Sequence, residues 1–439
     1  MAVATAADWT PLVERYLHPF SALSSDDVDR TQAWALNATA FAATGSWRAI
    51  FADGALHVKM LRVHSHWAER ASVLRLLLRA TRRLPPGASF DLVYAHNDQD
   101  PTPASGPPCR RGRRAPPCTP PPPLPLFTNS HSARRGGLPL PDFTWVGWGK
   151  GTLPWCQLAA NVSAAAAQSP FEARDGRAFF SGRCDNGHDR KELRALYTRL
   201  EQERAGSEAP LSLLVRDTEA GLNHRWAQYD EKGKTAARKL APLPPSAACA
   251  HKIALSLRGF GYSSRLRSLL LCGSAVVHVG HDDDANEFFF PLLRDGEEIV
   301  VLRGRDAVRS KLLPALEQLR KDEPRSARVA AAGRAFAQKW LDFAAVVGYT
   351  ASLLEAYAAR FRANPVTVPP GFTRVRSAAE LLRLTGMCDC RGRRGNAKPC
   401  LRETRGEKCT LWPPRGGGLC FDTRCCVGWD CALSPLGCR

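Results

Sequence analysis

The chain has 439 residues, which is enough for two globular domains and a tail. Its 61 basic and 42 acidic residues give a formal net charge of +19, which suits an anionic ligand, an acidic polysaccharide or a membrane surface. Because the excess is mostly arginine scattered among alanine and proline, nucleic-acid binding is not favoured. No segment approaches the ~20 consecutive apolar residues that span a bilayer.

The cysteines and two sequons point to the secretory pathway. Most of the 15 cysteines lie between Cys388 and Cys438, a density that predicts disulfides in an oxidising compartment. Zinc is the alternative, but the spacings match paired zinc knuckles poorly. The sequons begin at Asn37 and Asn161. The first residues do not form a signal peptide, which leaves open whether an anchor was removed, the start lies upstream or export is unusual.

The first hundred residues predict mixed helix and strand. Residues 67–84 place apolar side chains at helical spacing and end before two prolines and a glycine, which predicts an amphipathic helix. Residues 90–94 predict a strand, and residues 96–101 form the loop after it. Loops at this end of a strand commonly hold reacting groups in open α/β sheets.

A low-complexity insert follows at residues 101–126. It is rich in proline and carries four arginines between Cys109 and Cys118, which predicts a polyproline-like or disordered surface loop. A tolerated insertion is favoured over a patch for an acidic partner. Trp145 and Trp155, together with Trp148, either stack on a sugar or pack a core.

The most informative run is residues 253–279. It predicts a strand, a turn with Gly259 and Gly261, a short helix capped by Ser263 or Ser264, a glycine stop with positive φ at Gly273, and a second strand. A helix N-terminus reached through glycines, with Arg265 one residue inside it, forms an anion site that suits a nucleotide diphosphate.

Strands and helices alternate elsewhere in the second half. Residues 178–183 predict a strand and turn, residues 193–202 a helix, residues 299–302 a strand, and residues 307–362 are mostly helical. Because both halves alternate in this way, the sequence predicts an α/β protein with mainly parallel sheets.

Residues 251–293 resemble the nucleotide-sugar half of the protein O-glucosyltransferases, the KDEL-motif and capsule-associated family also called glycosyltransferase family ninety. The family pattern is G-x-x-x-S-x-R-x-(K/R)-x-L, then C-G-S, then E-F-F-x-P-x-L. Here it is carried by Gly259, Ser263, Arg265, Arg267, Leu269, residues 272–274 and residues 287–293. Residues 138–143 and 178–193 resemble further segments, but Ser181 stands where the family has an arginine. The retention tetrapeptide that names part of the family is absent.

The resemblance implies the GT-B architecture, in which two Rossmann-like domains face each other across a cleft. We expect an acceptor-side domain over residues 1–165 and a nucleotide-sugar domain over residues 166–345. A closing helix and linker would follow over residues 346–370, and a disulfide-rich tail over residues 371–439.

The resemblance also implies the site residues. The diphosphate would be held by Arg183, Arg190, Gly259, Gly261, Ser263, Ser264 and Arg265. Glu287 would bind the ribose hydroxyls or cap the following helix. The general base would be Asp98, with Asp100 as its competitor, although either can simply cap its loop.

The resulting hypothesis is an inverting, metal-independent transferase that needs no cofactor. It would move glucose or xylose from a UDP-sugar to a protein serine or a glycan hydroxyl in the lumen of the endoplasmic reticulum or Golgi, with secretion and a membrane tether outside this chain left open. Residues 282–284 and His278 are interpreted as a solvated loop and a buried core histidine rather than metal ligands. The alternative hypothesis is a catalytically inactive, basic carbohydrate-binding protein of the same fold.

Overall fold

The computed structural model describes residues 7–37, 45–62, 67–96, 123–132, 135–147, 153–204, 212–218, 243–281, 284–361, 366–377 and 380–381. The chain divides into two compact units, one of Met1–Gln157 with Asp342–Arg439 and one of Leu158–Leu341. The predicted domain boundaries and the facing of two domains across a cleft stay predictions. Asp98, Asp100, most of the insert and the cysteines from Cys388 onward lie outside the described residues.

The strands are β1 (Ser46–Ala52), β2 (Ala55–Arg62), β3 (Phe90–Ala95), β4 (Leu126–Thr128), β5 (Leu138–Pro139), β6 (Asp175–Gly182), β7 (Leu213–Asp217), β8 (His251–Leu257), β9 (Ala275–Gly280), β10 (Val300–Arg303) and β11 (Thr373–Val375). The helices are α1 (Thr10–Leu17), α2 (Ser25–Asn37), α3 (Trp67–Thr81), α4 (Trp155–Gln168), α5 (His188–Glu203), α6 (Leu266–Cys272), α7 (Ala307–Ser310), α8 (Leu312–Lys321), α9 (Glu323–Trp340) and α10 (Phe343–Arg360). The predicted strand at 90–94 and helix at 67–84 are confirmed as β3 and α3.

The first unit contains a six-stranded sheet in the order β11-β2-β1-β3-β4-β5. β1 and β2 form an antiparallel hairpin, and its two-residue turn has positive φ at Asp53 (50°) and Gly54 (66°), as a type I′ turn requires. β3, β4 and β5 run parallel to one another. Tyr357 of α10 donates a hydrogen bond to the carbonyl of Asp91, which ties the helix to β3.

The second unit contains a five-stranded, all-parallel sheet in the order β10-β9-β8-β6-β7. Numbered within this unit, the order is 2-1-3-4-5, the doubly wound pattern. The α/β prediction is confirmed, but the prediction of mainly parallel sheets is correct for this unit alone, because in the first unit the pairs β11–β2, β2–β1 and β1–β3 are antiparallel. One face packs against α5, α7 and α8 through alternate residues such as Ile253, Leu255 and Leu257. The other face packs α9 against β9 through Val329, Ala330 and Ala275.

Three features define the C-terminal end of α6: a backbone conformation, a hydrogen bond and a disulfide. Gly273 follows it in the left-handed conformation (φ 65°, ψ 45°), which confirms the predicted glycine stop. The Arg174 guanidinium donates to the Gly273 carbonyl. A disulfide joins Cys272, the last residue of α6, to Cys249 in the 3₁₀ turn before β8. The sequence had pointed to disulfides in the tail and not to this pair.

No helix within the described ranges combines the length and the apolar composition that a bilayer crossing demands.

Candidate active site

The site lies where the chain reverses its strand order in the second unit, between β6 and β8. In doubly wound sheets, ligands bind at this reversal, in the crevice outside the carboxyl ends of the two strands. The loop after β6 here is Arg183–Gly187, and the loop after β8 begins at Arg258. The predicted diphosphate residues are carried by these two loops and by the short segment that leads into α6, except Arg190, which lies in the first turn of α5.

The two loops touch through glycines. A side-chain carbon on Gly187, which has φ +102°, would sit 2.7 Å from the carbonyl oxygen of Gly259, so only glycine allows this approach. Within the second loop, the amide of Gly259 donates to the carbonyl of Gly261 at 3.1 Å. Both predicted turn glycines therefore shape the crevice with backbone rather than side chains.

Arg190 is buried and braces the loops instead of facing solvent. Its Nε and Nη2 donate to the carbonyl of Leu257 at 3.3 and 3.0 Å, and its Nη1 donates to the carbonyl of Arg183 at 3.3 Å. Burial lowers the pKa of Arg190 to about 10. The Arg183 side chain is 47% exposed and pairs with Asp185 at 3.2 Å, so it is the arginine of the β6 loop that reaches the surface.

Arg265 bridges the entrance of α6 to the end of β6. Its guanidinium donates to the carbonyl of Ser181 and lies 4.9 Å from the centre of the Phe180 ring. Burial, together with the nearby Arg190, lowers the pKa of Arg265 to about 9, so the group remains cationic at neutral pH. Gly182 leaves room for it, because a side-chain carbon there would lie 2.5 Å from Arg265 Nη1.

The predicted cap of α6 is wrong. Arg265, not Ser263 or Ser264, occupies the N-cap position, and no side chain caps the helix. The Arg265 carbonyl accepts from the amides of Ser268 and Leu269 at 3.0 and 3.1 Å, so the helix begins one residue later than its serines suggest. Ser263 and Ser264 stay in the loop before the helix.

A buried aspartate joins three loops at the same edge of the sheet. Asp189, in the first turn of α5, lies 3.5 Å from Arg258 Nε and 3.6 Å from His281 Nε2. Arg258 also contacts Asp284, whose other carboxylate oxygen accepts from the His281 amide at 2.6 Å. Burial raises the pKa of Asp284, so the interpretation of residues 282–284 as a solvated loop is wrong for this residue. The loops after β6, β8 and β9 are thereby held in one arrangement.

Glu287, the predicted ribose ligand, is buried beside Arg267 of α6, with Oε1 3.5 Å from Arg267 Nη1. The following 3₁₀ turn, Phe290–Leu292, begins after Phe289 without a side-chain cap. The role of Glu287 in binding ribose stays a prediction.

His278 is a buried strand residue, as expected. Its Nδ1 lies 3.2 Å from Ser256 Oγ, its ring packs on Phe290, and burial lowers its pKa to about 4. Across the described part of the chain, no three histidine, cysteine or acidic side chains come together as a metal ion would require.

The first unit has its own polar edge. Buried polar residues follow its three parallel strands: His96 after β3, Asn129 and Ser130 after β4, and Asp142 after β5. Asp142 caps the next turn by accepting from the amide of Thr144 at 3.0 Å. The loop with the predicted bases begins at this edge, directly after His96.

Two of the three tryptophans pack the core of the first unit. Trp145 and Trp155 are buried and meet edge to face, with ring centres 5.3 Å apart. Trp148 lies outside the described residues.

Sequence reasoning missed Asp189 and Arg258. Arg258 directly follows a strand and Asp189 opens a helix, positions whose side chains gather at one sheet edge once the strands are known to be parallel.

A family model and several known proteins match this chain. The model of the family described as glycosyl transferase family 90 matches residues 38–414. Protein O-glucosyltransferase 1 of Homo sapiens is 25% identical over 269 residues, which are 58% of this chain and 62% of that protein. Its namesake in Rattus norvegicus is 29% identical over 188 residues, or 39% of this chain and 42% of the relative. The matches therefore span less than two thirds of these relatives.

Proposed function

The chain belongs to glycosyl transferase family 90, and from this premise we propose that it transfers glucose or xylose from a UDP-sugar to a hydroxyl group. The acceptor is a protein serine or a glycan, and the reaction inverts the anomeric centre without a metal ion. The observation that carries the proposal is the meeting of the β6 and β8 loops through Gly187 and Gly259 where the strand order reverses. Arg183 lies in the first of these loops, and Arg265 is bonded to Ser181 at the end of β6.

Transfer requires that the negative charge growing on the departing UDP be stabilised. A single well-placed donor is worth about 3 kcal/mol in such a step. Arg265 is held in place by β6, and Arg183 is half exposed in the loop after β6, so two cations can act on the diphosphate. Backbone amides of the loop from Gly261 to Arg265 can add further donors.

Transfer also requires that the acceptor hydroxyl lose its proton as it attacks. We assign this role to Asp98, with Asp100 as the competing carboxylate. Support comes from the sequence, in which they follow Ala95, the last residue of β3, by three and five residues, and from the parallel pairing of β3 with β4. Attack by the acceptor oxygen breaks the bond from the anomeric carbon to the phosphate oxygen, the proton passes to the carboxylate, and UDP departs.

The test is a panel of UDP-sugars incubated with the full chain, with UDP release and acceptor modification both measured. UDP-glucose or UDP-xylose should be consumed, and the glycosidic product should have the opposite anomeric configuration to the donor. Asp98→Asn should abolish transfer and retain UDP binding, whereas Asp100→Asn, the matched control, should keep most activity. If Asp98→Asn transfers sugar at the normal rate, the base is misassigned.

The protein acceptor and the secretory location rest on separate observations. The relatives' name describes O-glucosylation of protein, and the tail cysteines suit an oxidising compartment. Asn161 of the second sequon is exposed on α4. A glycan on Asn161 in expressed full chain, removed by Asn161→Gln, would support passage through the lumen of the endoplasmic reticulum or Golgi.

A second candidate is an inactive carbohydrate-binding protein. It is favoured by Ser181, which replaces the family arginine, and by Arg190 and Arg265, whose guanidinium groups donate to backbone carbonyls. Binding of a glycan without hydrolysis of any UDP-sugar would identify this function.

A further inference from the structure

A buried cluster of charges adjoins the loop that carries the predicted diphosphate residues. Arg258 lies directly before Gly259, and its side chain is 31% exposed. Its Nε lies 3.5 Å from Asp189 Oδ2, and its Nη1 donates to Asp284 Oδ1. The side chains of the two aspartates are only 1% and 5% exposed. Two nitrogens of one guanidinium therefore face two buried carboxylates, one from α5 and one from the loop after β9.

Each carboxylate is held by its own element. Asp284 Oδ2 accepts from the amide of His281 at 2.6 Å, so this carboxylate closes the turn after β9. Asp189 lies in the first turn of α5, where the positive end of the helix dipole favours a carboxylate. Arg258 is thus attached at two fixed points, which restrains the backbone of the residue that follows it in the chain.

That following residue, Gly259, is closely surrounded. A side-chain carbon on Gly259 would lie 3.0 Å from Asn186 Nδ2 and 3.3 Å from Arg190 Nη2. A carbon on Gly187 would lie 2.7 Å from the Gly259 carbonyl oxygen. Because the Gly259 backbone already meets the β6 loop and α5 at these distances, a small displacement of it alters how the β6 and β8 loops fit together.

The charges around Arg258 argue against a direct contact with the diphosphate. One guanidinium faces two carboxylates, so these three groups have no surplus positive charge to offer an anion. Burial, with Asp189 nearby, raises the pKa of Asp284. A protonated Asp284 would change little, because Asp189 alone still balances Arg258. Arg265 differs, since its guanidinium donates to the uncharged carbonyl of Ser181.

We propose that Arg258 is a positioning residue for donor binding: held between Asp189 and Asp284, it sets where Gly259 lies against the β6 loop without touching the donor. This assignment rests on the proposed function, because it presumes a nucleotide-sugar where the two loops meet. Its consequence is that two buried carboxylates, whose charge repels a diphosphate, strengthen the binding of UDP through the geometry that they impose.

Calorimetric titration of the full chain with UDP separates positioning from direct electrostatics by the sign of the change. Asp284→Asn removes a negative charge, so electrostatics alone would strengthen UDP binding. Positioning predicts binding about tenfold weaker, because the guanidinium loses one of its two anchors. Glu192→Gln is the matched control. It neutralises a carboxylate of α5 that pairs with the exposed Arg309, and it should change UDP affinity by less than about twofold.

Substitutions of Arg258 test the geometry of its guanidinium. Arg258→Gln should weaken UDP binding about tenfold. Arg258→Lys should weaken it as much, because lysine keeps the charge but has no fork that reaches two carboxylates. Combining Arg258→Gln with Asp284→Asn should add no further loss, since both changes break the same contact. The titration also counts sites per chain, so partial misfolding lowers the number of sites, whereas a displaced loop weakens binding at an unchanged number.

Two results overturn the positioning role and leave the proposed function intact. UDP affinity that is unchanged or raised in Asp284→Asn shows that this carboxylate does not act through position. Affinity that is lost in Arg258→Gln but kept in Arg258→Lys assigns the charge itself to the diphosphate. A third result, absence of UDP binding by the wild type, refutes the proposed function together with the positioning role.

Discussion

The contact between Gly187 and Gly259 can be tested by a single added methyl group. In Gly187→Ala the new carbon would lie 2.7 Å from the Gly259 carbonyl oxygen, about 0.6 Å inside the ~3.3 Å at which carbon and carbonyl oxygen normally meet. The backbone of this residue also has φ +102°, which residues other than glycine rarely adopt.

Both effects destabilise the second unit. The backbone strain costs about 1–3 kcal/mol, and forcing the loops apart adds about 1–3 kcal/mol, as in overpacked cores. We therefore expect the free energy of unfolding to fall by about 2–6 kcal/mol and the Tm to fall by about 4 °C or more. Because the Gly259 loop must move, UDP should bind about tenfold more weakly.

Gly296→Ala is the matched control. Gly296 has φ +79° and nothing within 4 Å of its would-be side chain, so alanine there incurs only the backbone strain. Thermal unfolding followed by circular dichroism and calorimetric titration with UDP should show reduced stability in both variants but reduced affinity in Gly187→Ala alone. The reasoning is refuted if Gly187→Ala binds UDP as tightly as Gly296→Ala does.

Three further predictions follow from the buried charges. Arg265→Ala should weaken UDP binding about tenfold or more in calorimetric titration, because a charge-assisted hydrogen bond is worth about 1.5–3 kcal/mol; unchanged affinity would remove Arg265 from the diphosphate site. Asp189→Asn should raise the KM for the UDP-sugar and lower the Tm, because Arg258 and His281 lose their shared carboxylate. The control is Arg309→Ala, which removes an exposed pair with Glu192 and should change the free energy of unfolding by less than about 1 kcal/mol. Burial lowers the pKa of His278 to about 4 from an ordinary 6.5, so on acidification the unfolded chain binds the extra proton first. The free energy of unfolding should therefore fall by roughly 3 kcal/mol as the pH drops from 6.5 to about 4. Chemical denaturation of His278→Gln should show a smaller loss over this pH range, and an equal loss would contradict the assignment of the effect to His278.

Strong local patterns in the sequence predicted much of the second unit. The alternation at residues 253–257, the glycine at 273 and the apolar run at 275–279 gave β8, the stop of α6 and β9 at nearly their observed bounds. These elements are set by residues close together in the chain, which is why the sequence reveals them.

The cap of α6 and the network around Asp189 could not be predicted in the same way. Arg265, the residue at the start of α6, bonds to Ser181, which lies far away in the sequence. Asp189, Arg258 and Asp284 meet only because β6, β8 and β9 are neighbouring parallel strands. By contrast, the hairpin of β1 and β2 could have been predicted, because Asp-Gly at residues 53 and 54 is a typical sequence for a two-residue type I′ turn.

A crystal structure of the full chain soaked with UDP tests the central claim most directly. The account predicts the diphosphate beside Arg265 and Arg183, in the crevice between the loops after β6 and β8. Uridine diphosphate bound at any other place in the molecule, with this crevice empty, would contradict it.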